Sequence, residues 1–203
     1  MEIKEYRGIR GLVYAEVTKD DNESNGGYVT GTVKALAGVA GLTRTTETSS
    51  EAHYYDNVPA VVIDSTGADE VTITCSAIDF SVLADITGQV YDANKGMFVE
   101  GERQNKYFAI GYITKKTDGT EVYVWRLKGK FNIPDSTHDT ENDGTDANGQ
   151  EITFTGINTN HKFTATNKTA KAVNVDQSVN PQAESEFFGT VQTPDTVPAV
   201  SAI

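Results

Sequence analysis

Hydrophobic and polar residues alternate with a period of two along several segments, which is the pattern of half-buried β-strands. In one segment Val71, Ile73 and Cys75 fall on one side, and the threonines between them fall on the other. The same alternation occurs at residues 12–17 and 152–155. The pattern therefore predicts strands at these three places and a mainly β fold.

The clearest local unit is a β-hairpin over residues 107–130. Thr117-Asp118-Gly119-Thr120 separates two alternating runs, and an Asp-Gly pair tolerates the positive φ angles of a tight turn. The second run carries large apolar groups on both faces, with Tyr123 and Trp125 on one of them. We expect one face to meet the core and the other to meet a helix or a neighbouring subunit.

One segment has the pattern of a helix, residues 79–88. Val82, Leu83 and Ile86 recur at helical spacing, Asp79 is the expected N-cap, and Gly88 suits the left-handed position after the end. Because so short a helix does not persist alone in water, it must pack on a sheet. One short helix beside many strands predicts two packed antiparallel sheets, a sandwich or barrel, with one flanking α-helix.

Several stretches lack the large apolar side chains that a core requires. Residues 19–27 and 134–149 read as polar or acidic loops, and residues 42–52 are mostly Thr, Ser and Glu. Beyond about residue 165, three prolines stand among Thr, Gln and Ser, a composition typical of an extended arm or a partly disordered tail. The predicted organisation is a β domain over residues 1–165 and a C-terminal arm over residues 166–203.

The composition agrees with many strands and turns, since the 203 residues include 26 Thr and 18 Gly. There are 29 acidic and 17 basic side chains, which give a net charge of −12 and disfavour nucleic-acid binding by bulk electrostatics.

A single cysteine, Cys75, excludes a disulfide framework and a multi-cysteine zinc site. No apolar run approaches the ~20 residues that cross a bilayer. Residues 1–6 lack the apolar core of a signal peptide, so we expect a soluble product made in a cytosol.

The sequence contains no motif of nucleophilic, phosphate-binding or zinc-dependent catalysis. His53, His138 and His161 lie far apart, and we interpret each as a surface or loop residue. Cys75 falls on the apolar side of a predicted strand, where a free thiol behaves as a small hydrophobic group. We therefore predict that the chain is not an enzyme and carries no cofactor.

Two loops place oxygen-bearing residues at alternate positions before a glycine, as an EF-hand calcium loop does. They are Asp21-x-Glu23-x-Asn25-Gly26 and Asp139-x-Glu141-x-Asp143-Gly144. The twelfth position, where an EF-hand supplies a bidentate Glu, is Thr32 in the first and Gln150 in the second. Flanking helices are also missing, so we interpret both loops as solvated acidic turns and predict no metal site.

Aromatic side chains beside polar groups would suit carbohydrate binding, and Tyr54, Tyr55, Tyr123 and Trp125 could supply them. Aromatic residues also concentrate in cores and at subunit contacts. The alternative function is accordingly a monomeric β-sandwich binding module of the secreted type, for carbohydrate and with calcium in the acidic loops. The missing signal peptide disfavours this alternative.

Between residues 6 and 159, decorated strands and one short helix follow one another in a characteristic order. The segments are residues 8–15 (GIRGLVYA), residues 27–33 (GYVTGTV), Tyr54-Tyr55-Asp56-Asn57 before the next strand, the helix and its exit at 78–92, and residues 125–131 (WRLKGKF). In order and spacing they resemble the major tail proteins of long-tailed, non-contractile phages of Gram-positive bacteria. The chain beyond about residue 168 resembles no part of that pattern.

The resemblance implies a structural virion protein with the tail-tube fold. Six copies would close into a ring, and stacked rings would form a hollow tube through which double-stranded DNA passes during ejection without specific binding. The implied partners are further copies of the chain and the tape measure, distal tail and tail terminator proteins. Assembly would take place in the host cytoplasm. The tube protein of a contractile machine is a close variant with the same architecture.

The residues that we expect at subunit contacts form two groups. Tyr54, Tyr55, Asp56 and Asn57 make up the first, and Tyr123 and Trp125 on the hairpin make up the second. Packing inside one subunit is the alternative for both groups. Residues 42–52 and the C-terminal arm are expected to become ordered against a neighbour on assembly.

In such a tube the acidic composition would have a function. Six copies of a chain of charge −12 carry −72 formal charges per ring. An acidic bore repels DNA phosphates over the ~8–10 Å screening length of physiological salt, so the DNA can slide. A basic bore would instead bind DNA through counterion release. The alternative is that the acids lie outside and keep the protein soluble.

Overall fold

The computed structural model describes residues 3–22, 27–138, 140 and 148–200. It is mainly β, with 53% strand and 6% helix, as predicted. The strands are β1 (Tyr6–Asp20), β2 (Tyr28–Thr30), β3 (Lys34–Ala35), β4 (Val39–Tyr55), β5 (Val58–Cys75), β6 (Val90–Asp92), β7 (Met97–Val99), β8 (Tyr107–Lys116), β9 (Glu121–Phe131), β10 (Asp135–Ser136), β11 (Gln150–Gly156) and β12 (Ala172–Asp176). The helices are α1 (Phe80–Thr87) and α2 (Glu184–Phe187).

Ten of these strands form one antiparallel sheet, in the order β2-β1-β8-β9-β11-β5-β4. Three short strands pair beside this path, β3 on β1, β10 on β11 and β12 on β9, and β6 with β7 makes a small second sheet. β1 and β4 lie towards opposite ends of the order and still contact each other, so the sheet curls into an open barrel. The predicted antiparallel fold with a flanking helix is confirmed, and its two layers belong to one curved sheet.

The alternating segments become strands with the predicted buried faces. Val71 and Ile73 in β5 have no exposed surface, and Cys75 is 2% exposed. Ile152 and Phe154 in β11 are likewise buried and pair with β5. The predicted hairpin is present as β8 and β9, and Gly119 in its turn has a φ of 89°.

The two faces of β8 and β9 lie in two different hydrophobic clusters, which explains why the second strand is apolar on both sides. The inner core lies inside the curved sheet and includes Tyr14, Ile73, Phe108, Val124 and Phe154. The outer core lies on the opposite face, and its members include Trp125, Leu127, Phe163, Val175 and Phe187. In one subunit the outer face is covered by later residues of the same chain, including Phe163 and Phe187, the latter from the short helix α2.

The helix α1 lies where the sequence predicts and packs its Val82, Leu83 and Ile86 side chains against the inner core. Asp79 occupies the N-cap position, although its side chain makes no capping hydrogen bond. Gly88 ends the helix with a left-handed φ of 71°, and its N–H bonds to the carbonyl of Ala84. A Cβ at Gly88 would lie 2.6 Å from Cβ of Gln104, so a glycine is needed for space as well as for conformation.

Residues 42–52 differ from the expectation of an arm that becomes ordered against a neighbour on assembly, because within one subunit they are part of β4 and pair with β5 in a long hairpin. The sequence pattern misses this strand because alternation of apolar and polar residues requires one buried face, and here all residues except the half-buried Leu42 and Thr46 are exposed. Thr-rich segments nevertheless favour the extended backbone.

The C-terminal region also differs from the prediction. β12 (Ala172–Asp176) pairs with β9 in register, and Phe187 in α2 is buried in the outer core. Residues 166–200 therefore pack on the same sheet as the rest of the chain, whereas the sequence predicts a separate arm or a partly disordered tail. Residues 201–203 lie outside the described part of the chain.

Both loops that resemble calcium loops fall largely outside the described residues. Glu23, Asn25 and Gly26 of the first loop belong to this undescribed part, as do Asp139, Glu141, Asp143 and Gly144 of the second. Among the residues described, no group of three or more His, Cys, Asp or Glu side chains is arranged to hold a metal ion. Within the same residues, no helix is long and apolar enough to span a membrane.

Candidate assembly surfaces

The hairpin of β4 and β5 extends well beyond the barrel. β11 pairs with β5 only over Asp69–Cys75, whereas β4 pairs with β5 as far as Tyr55 and Val58. Residues 48–66, here called the ribbon, therefore form two strands with no third strand on either edge in the described chain. Such edges expose unpaired N–H and C=O groups and can pair with another chain.

The tip of the ribbon (residues 54–58) is a tight turn at Asp56 and Asn57. Their φ angles are 50° and 63°, in the left-handed region. Two consecutive left-handed residues form the turn type that matches the twist of a two-residue hairpin, and Asp and Asn adopt this conformation more readily than other non-glycine residues. The Asp-Asn pair noted in the sequence is therefore the turn itself, and β5 begins directly after it.

The ribbon carries exposed apolar side chains along its length. Tyr54 and Tyr55 are 66% and 65% exposed. Four aliphatic residues of β5 are exposed as well, Val58, Val61, Val62 and Ile63. A two-stranded ribbon is marginally stable in water, and a contiguous exposed apolar surface typically marks an interaction site. The first group of expected contact residues thus lies on the most exposed apolar part of this hairpin.

The second group lies elsewhere and is buried. Tyr123 is 6% exposed and Trp125 has no exposed surface. The Nε1–H of Trp125 donates to the carbonyl of Phe187 at 3.0 Å, and the Tyr123 ring centroid lies 5.3 Å from those of Phe187 and Phe188. In one subunit these two side chains therefore pack on the chain's own C-terminal segment (residues 157–200), which is the intramolecular alternative.

Arg10 adds a polar connection between β1 and α2. Its guanidinium lies 2.9 Å from Oε2 of Glu121 and 2.8 Å from Oε1 of Glu184. The hydrogen bonds from Arg10 lower the pKa of Glu184, despite the opposing effect of desolvation.

Sequence reasoning misses the packing of the C-terminal segment. Two signals could have indicated it, the alternation of Val173 and Val175 and the Phe187-Phe188 pair.

A cavity of about 1330 Å³ opens at the base of the ribbon, between the hairpin, β1, β8, β9 and the C-terminal segment. Its apolar wall consists mainly of Ile9, Leu42, Tyr112, Val122 and Val124. Its charged lining residues are Arg44, Arg126, Lys171 and Asp69. We call this opening the cationic mouth, because three of the four charged side chains that line it within the described chain are basic.

Asp69 is the centre of these charges. Nη1 of Arg126 donates to Asp69 Oδ2 at 3.0 Å, and Nζ of Lys171 donates to Oδ1 at 3.1 Å. Thr46 donates its hydroxyl to Oδ1 at 3.0 Å, and Nη1 of Arg44 lies 3.8 Å from Oδ2. Burial by itself would raise the pKa of Asp69, but the hydrogen bonds from Lys171 and Thr46 and the nearby positive charges lower it. Asp69 therefore remains ionised at neutral pH, and the mouth keeps a formal excess of two positive charges.

The remaining candidates from the sequence occupy ordinary structural positions. His53 is exposed on the ribbon, and His138 is exposed near β10. The backbone N–H of His161 donates to Asp20 Oδ1 at 2.9 Å, and Asp20 also accepts from Nζ of Lys128 at 2.5 Å. Cys75 lies on the apolar face as predicted, and burial raises the pKa of its thiol.

A comparison with protein-family models complements this geometry. The model described as phage tail tube protein matches residues 40–192. The match covers more than half of the chain and includes the ribbon, the β8–β9 hairpin and most of the C-terminal segment, so the family pattern extends beyond the residue 159 at which the sequence resemblance ends. No curated protein matches the chain. The chain belongs to the phage tail tube protein family.

Proposed function

We propose that six copies of this chain close into a ring, and that the rings stack into the tube through which double-stranded DNA leaves the virion. Family membership makes the chain a structural component of a phage tail. Closure into a ring needs a head-to-tail contact whose rotation closes, and stacking needs a second contact that does not close. The tail we propose is the non-contractile type, and we expect no catalytic activity.

The exposed surface of the ribbon is the observation that supports this proposal. The ribbon's two strands have free edges, and its tip exposes about two thirds of the surface of Tyr54 and of Tyr55. An isolated subunit would leave this surface in water, whereas a neighbouring copy would cover it. We therefore assign Tyr54, Tyr55, Asp56 and Asn57 to a subunit contact. We assign Tyr123 and Trp125 to the anchoring of the C-terminal segment within one subunit.

The charge of the chain supports free passage of DNA. A ring of six copies carries −72 formal charges, and those facing the bore would repel phosphate groups. Reversing acids that face the bore should slow DNA ejection while tubes still form. If ejection kinetics do not change, the acids serve only solubility.

The partners that we propose besides further copies are the tape measure, distal tail and tail terminator proteins. The chain would reach the virion after assembly in the host cytoplasm.

The carbohydrate-binding alternative has less support from the structure of one subunit than the tube proposal has. Two of its four aromatic residues, Tyr123 and Trp125, are buried and unavailable to a sugar.

Electron microscopy and sedimentation of the purified chain, with and without the tail initiator complex, test the proposal. Rings or tubes with sixfold symmetry are the expected result. Deuterium exchange should show that the ribbon amides become protected on assembly, because their edges are free in one subunit. A chain that stays monomeric at high concentration with initiator present would contradict the proposal, as would a ribbon that gains no protection in tubes.

A further inference from the structure

The cationic mouth has the properties of a site for a carboxylate group. Arg44, Arg126 and Lys171 surround the one carboxylate of Asp69 among the lining residues that the structure describes, in a chain whose net charge is −12. Arg126 is only 6% exposed, so part of this positive charge is already removed from water. An incoming carboxylate would receive charge-assisted hydrogen bonds from the more accessible Arg44 and Lys171.

The ribbon tip has the matching chemistry. Asp56 presents an exposed carboxylate at the turn, and Tyr54 and Tyr55 flank it with exposed rings. Aromatic rings stack favourably on guanidinium groups and pack well against aliphatic walls. The mouth offers both features, since Arg44 is half exposed there and Ile9 and Leu42 form part of the wall.

The tip cannot enter the mouth of its own chain. Arg44, Thr46 and Thr66 line the mouth, and they lie at the base of the hairpin that ends in the tip. Tyr55 follows Thr46 by nine positions along the same strand, a distance of roughly 30 Å at ~3.3 Å per residue. The tip is therefore directed away from its own mouth and can reach the same opening only in another copy.

We propose that the ribbon tip inserts into the cationic mouth of a second copy, where the carboxylate of Asp56 pairs with Arg44 and Lys171. The contact joins two different surfaces of the same chain, so every copy that receives a tip also offers one, and the chain of contacts continues along the direction of the ribbon. This inference rests on the proposed function, because it identifies the contact that joins successive subunits of the tube.

Disulfide trapping tests the contact directly. Tyr55→Cys and Asn174→Cys proteins are mixed under mild oxidation, since Asn174 is an exposed lining residue of the mouth. Cys75 stays in place because it is buried. A covalent dimer linking positions 55 and 174 is expected, at a yield at least tenfold above that of a control mixture of Val90→Cys with Asn174→Cys. Val90 matches Tyr55 in exposure at 65% but lies on β6, away from the tip and the mouth.

A charge comparison tests the role of Asp56. Asp56→Asn removes the carboxylate and keeps a residue that tolerates the left-handed turn. We expect the concentration required for assembly to rise about tenfold, as measured by sedimentation. Asp135→Asn makes the same charge change at an exposed position on β10, outside the ribbon and the mouth, and should leave that concentration unchanged.

The outcomes separate this inference from the proposed function. Tubes that form without the cross-link between positions 55 and 174, or an Asp56→Asn protein that assembles like Asp135→Asn, overturn the tip contact and leave the tube intact. If the unsubstituted chain forms no assemblies even with the initiator, the proposed function fails and this inference fails with it.

Discussion

The indole Nε1–H of Trp125 in β9 donates a hydrogen bond to the main-chain carbonyl of Phe187 in α2, at 3.0 Å. Both residues are buried, and the bond connects positions 62 residues apart. It therefore couples the central hairpin to the C-terminal segment. The segment is therefore part of the fold of one subunit.

Replacing Trp125 by Phe tests this coupling. The change removes the hydrogen bond and leaves the carbonyl of Phe187 without its partner in a buried place. We expect a loss of about 2 kcal/mol in the free energy of unfolding, measured by urea denaturation. Tyr123→Phe, which keeps the neighbouring ring and removes only a hydroxyl, is the control and should change stability by less than ~0.5 kcal/mol. A Trp125→Phe protein with an unchanged free energy of unfolding would contradict this coupling.

Gly129 in β9 marks a close approach between β9 and β11. A Cβ at this position would lie 2.3 Å from Cζ of Phe154 and 2.5 Å from the carbonyl oxygen of Thr155. Because the Thr155 atom is backbone, the clash cannot be relieved by a rotamer change. Gly129→Ala should therefore destabilise the fold by about 3 kcal/mol in thermal or urea unfolding.

Gly8 in β1 provides the matched control for Gly129. It also lies in a paired strand, and a Cβ there meets no atom within 4 Å. Gly8→Ala should be neutral or slightly stabilising, because it reduces the freedom of the unfolded chain. If both substitutions change the free energy of unfolding by the same amount, a steric clash at Gly129 does not determine the stability of the fold.

The ion pair of Lys116 with Asp176 gives stability a dependence on pH. Asp176 Oδ2 lies 2.5 Å from Nζ of Lys116, and Oδ1 accepts two hydrogen bonds from Ser178. Together these contacts, that of Lys116 most of all, lower the pKa of Asp176 from 3.8 to about 2. The unfolded chain therefore takes up this proton first as the pH falls, so the stabilisation is complete above about pH 4 and is lost by about pH 2.

Asp176→Asn should accordingly be less stable than the unsubstituted chain at pH 7, by at most ~1 kcal/mol because the pair is partly exposed. Urea denaturation at pH 7, 4 and 2 should show this difference shrinking between pH 4 and pH 2. Asp64→Asn removes the same charge from the exposed ribbon and should show no such trend. A difference that persists at pH 2 would assign the effect to side-chain packing.

Shortening the ribbon should separate folding from assembly. Residues 49–65 can be replaced by Asn-Gly, since Thr48 and Thr66 already pair across the hairpin and a two-residue turn fits that geometry. The removed residues are exposed, so the free energy of unfolding should change by less than ~1 kcal/mol. Sedimentation should show that assembly is lost.

A second variant controls for the loss of apolar surface alone. Val90→Ser with Val99→Ser reduces exposed apolar area on β6 and β7 and leaves the ribbon intact. This protein should assemble normally. A shortened chain that still forms tubes would show that the ribbon is not a subunit contact.

Local signals explain which parts of the fold could be predicted from the sequence. The turn at Asp118-Gly119 and the helix end at Gly88 depend on the conformational preferences of the residues themselves, and both were predicted correctly. The strand at Val71 and Ile73 was predicted because its neighbours alternate about a single buried face. Family order and spacing then indicated a tail tube protein, which the family match confirms.

The rest depends on partners distant in the sequence. Val175 is buried because it pairs with Tyr123, and Arg126 is buried because Asp69 lies 57 positions earlier to neutralise it. Neither relationship leaves a local pattern. The prolines of the C-terminal segment suggested an arm because their effect on the backbone is local, whereas the burial of Phe187 is set by the outer core. The cationic mouth was missed for the same reason.

The order of the outer-core residues along the chain has a consequence for synthesis. Several residues that complete the cluster around Trp125 and Leu127 follow β9, among them Phe163, Val175 and Phe187. A growing polypeptide therefore cannot complete this cluster until α2 has been synthesised. Until then the outer sides of Trp125 and Leu127 stay open to water, which leaves the nascent chain prone to premature contacts with other copies.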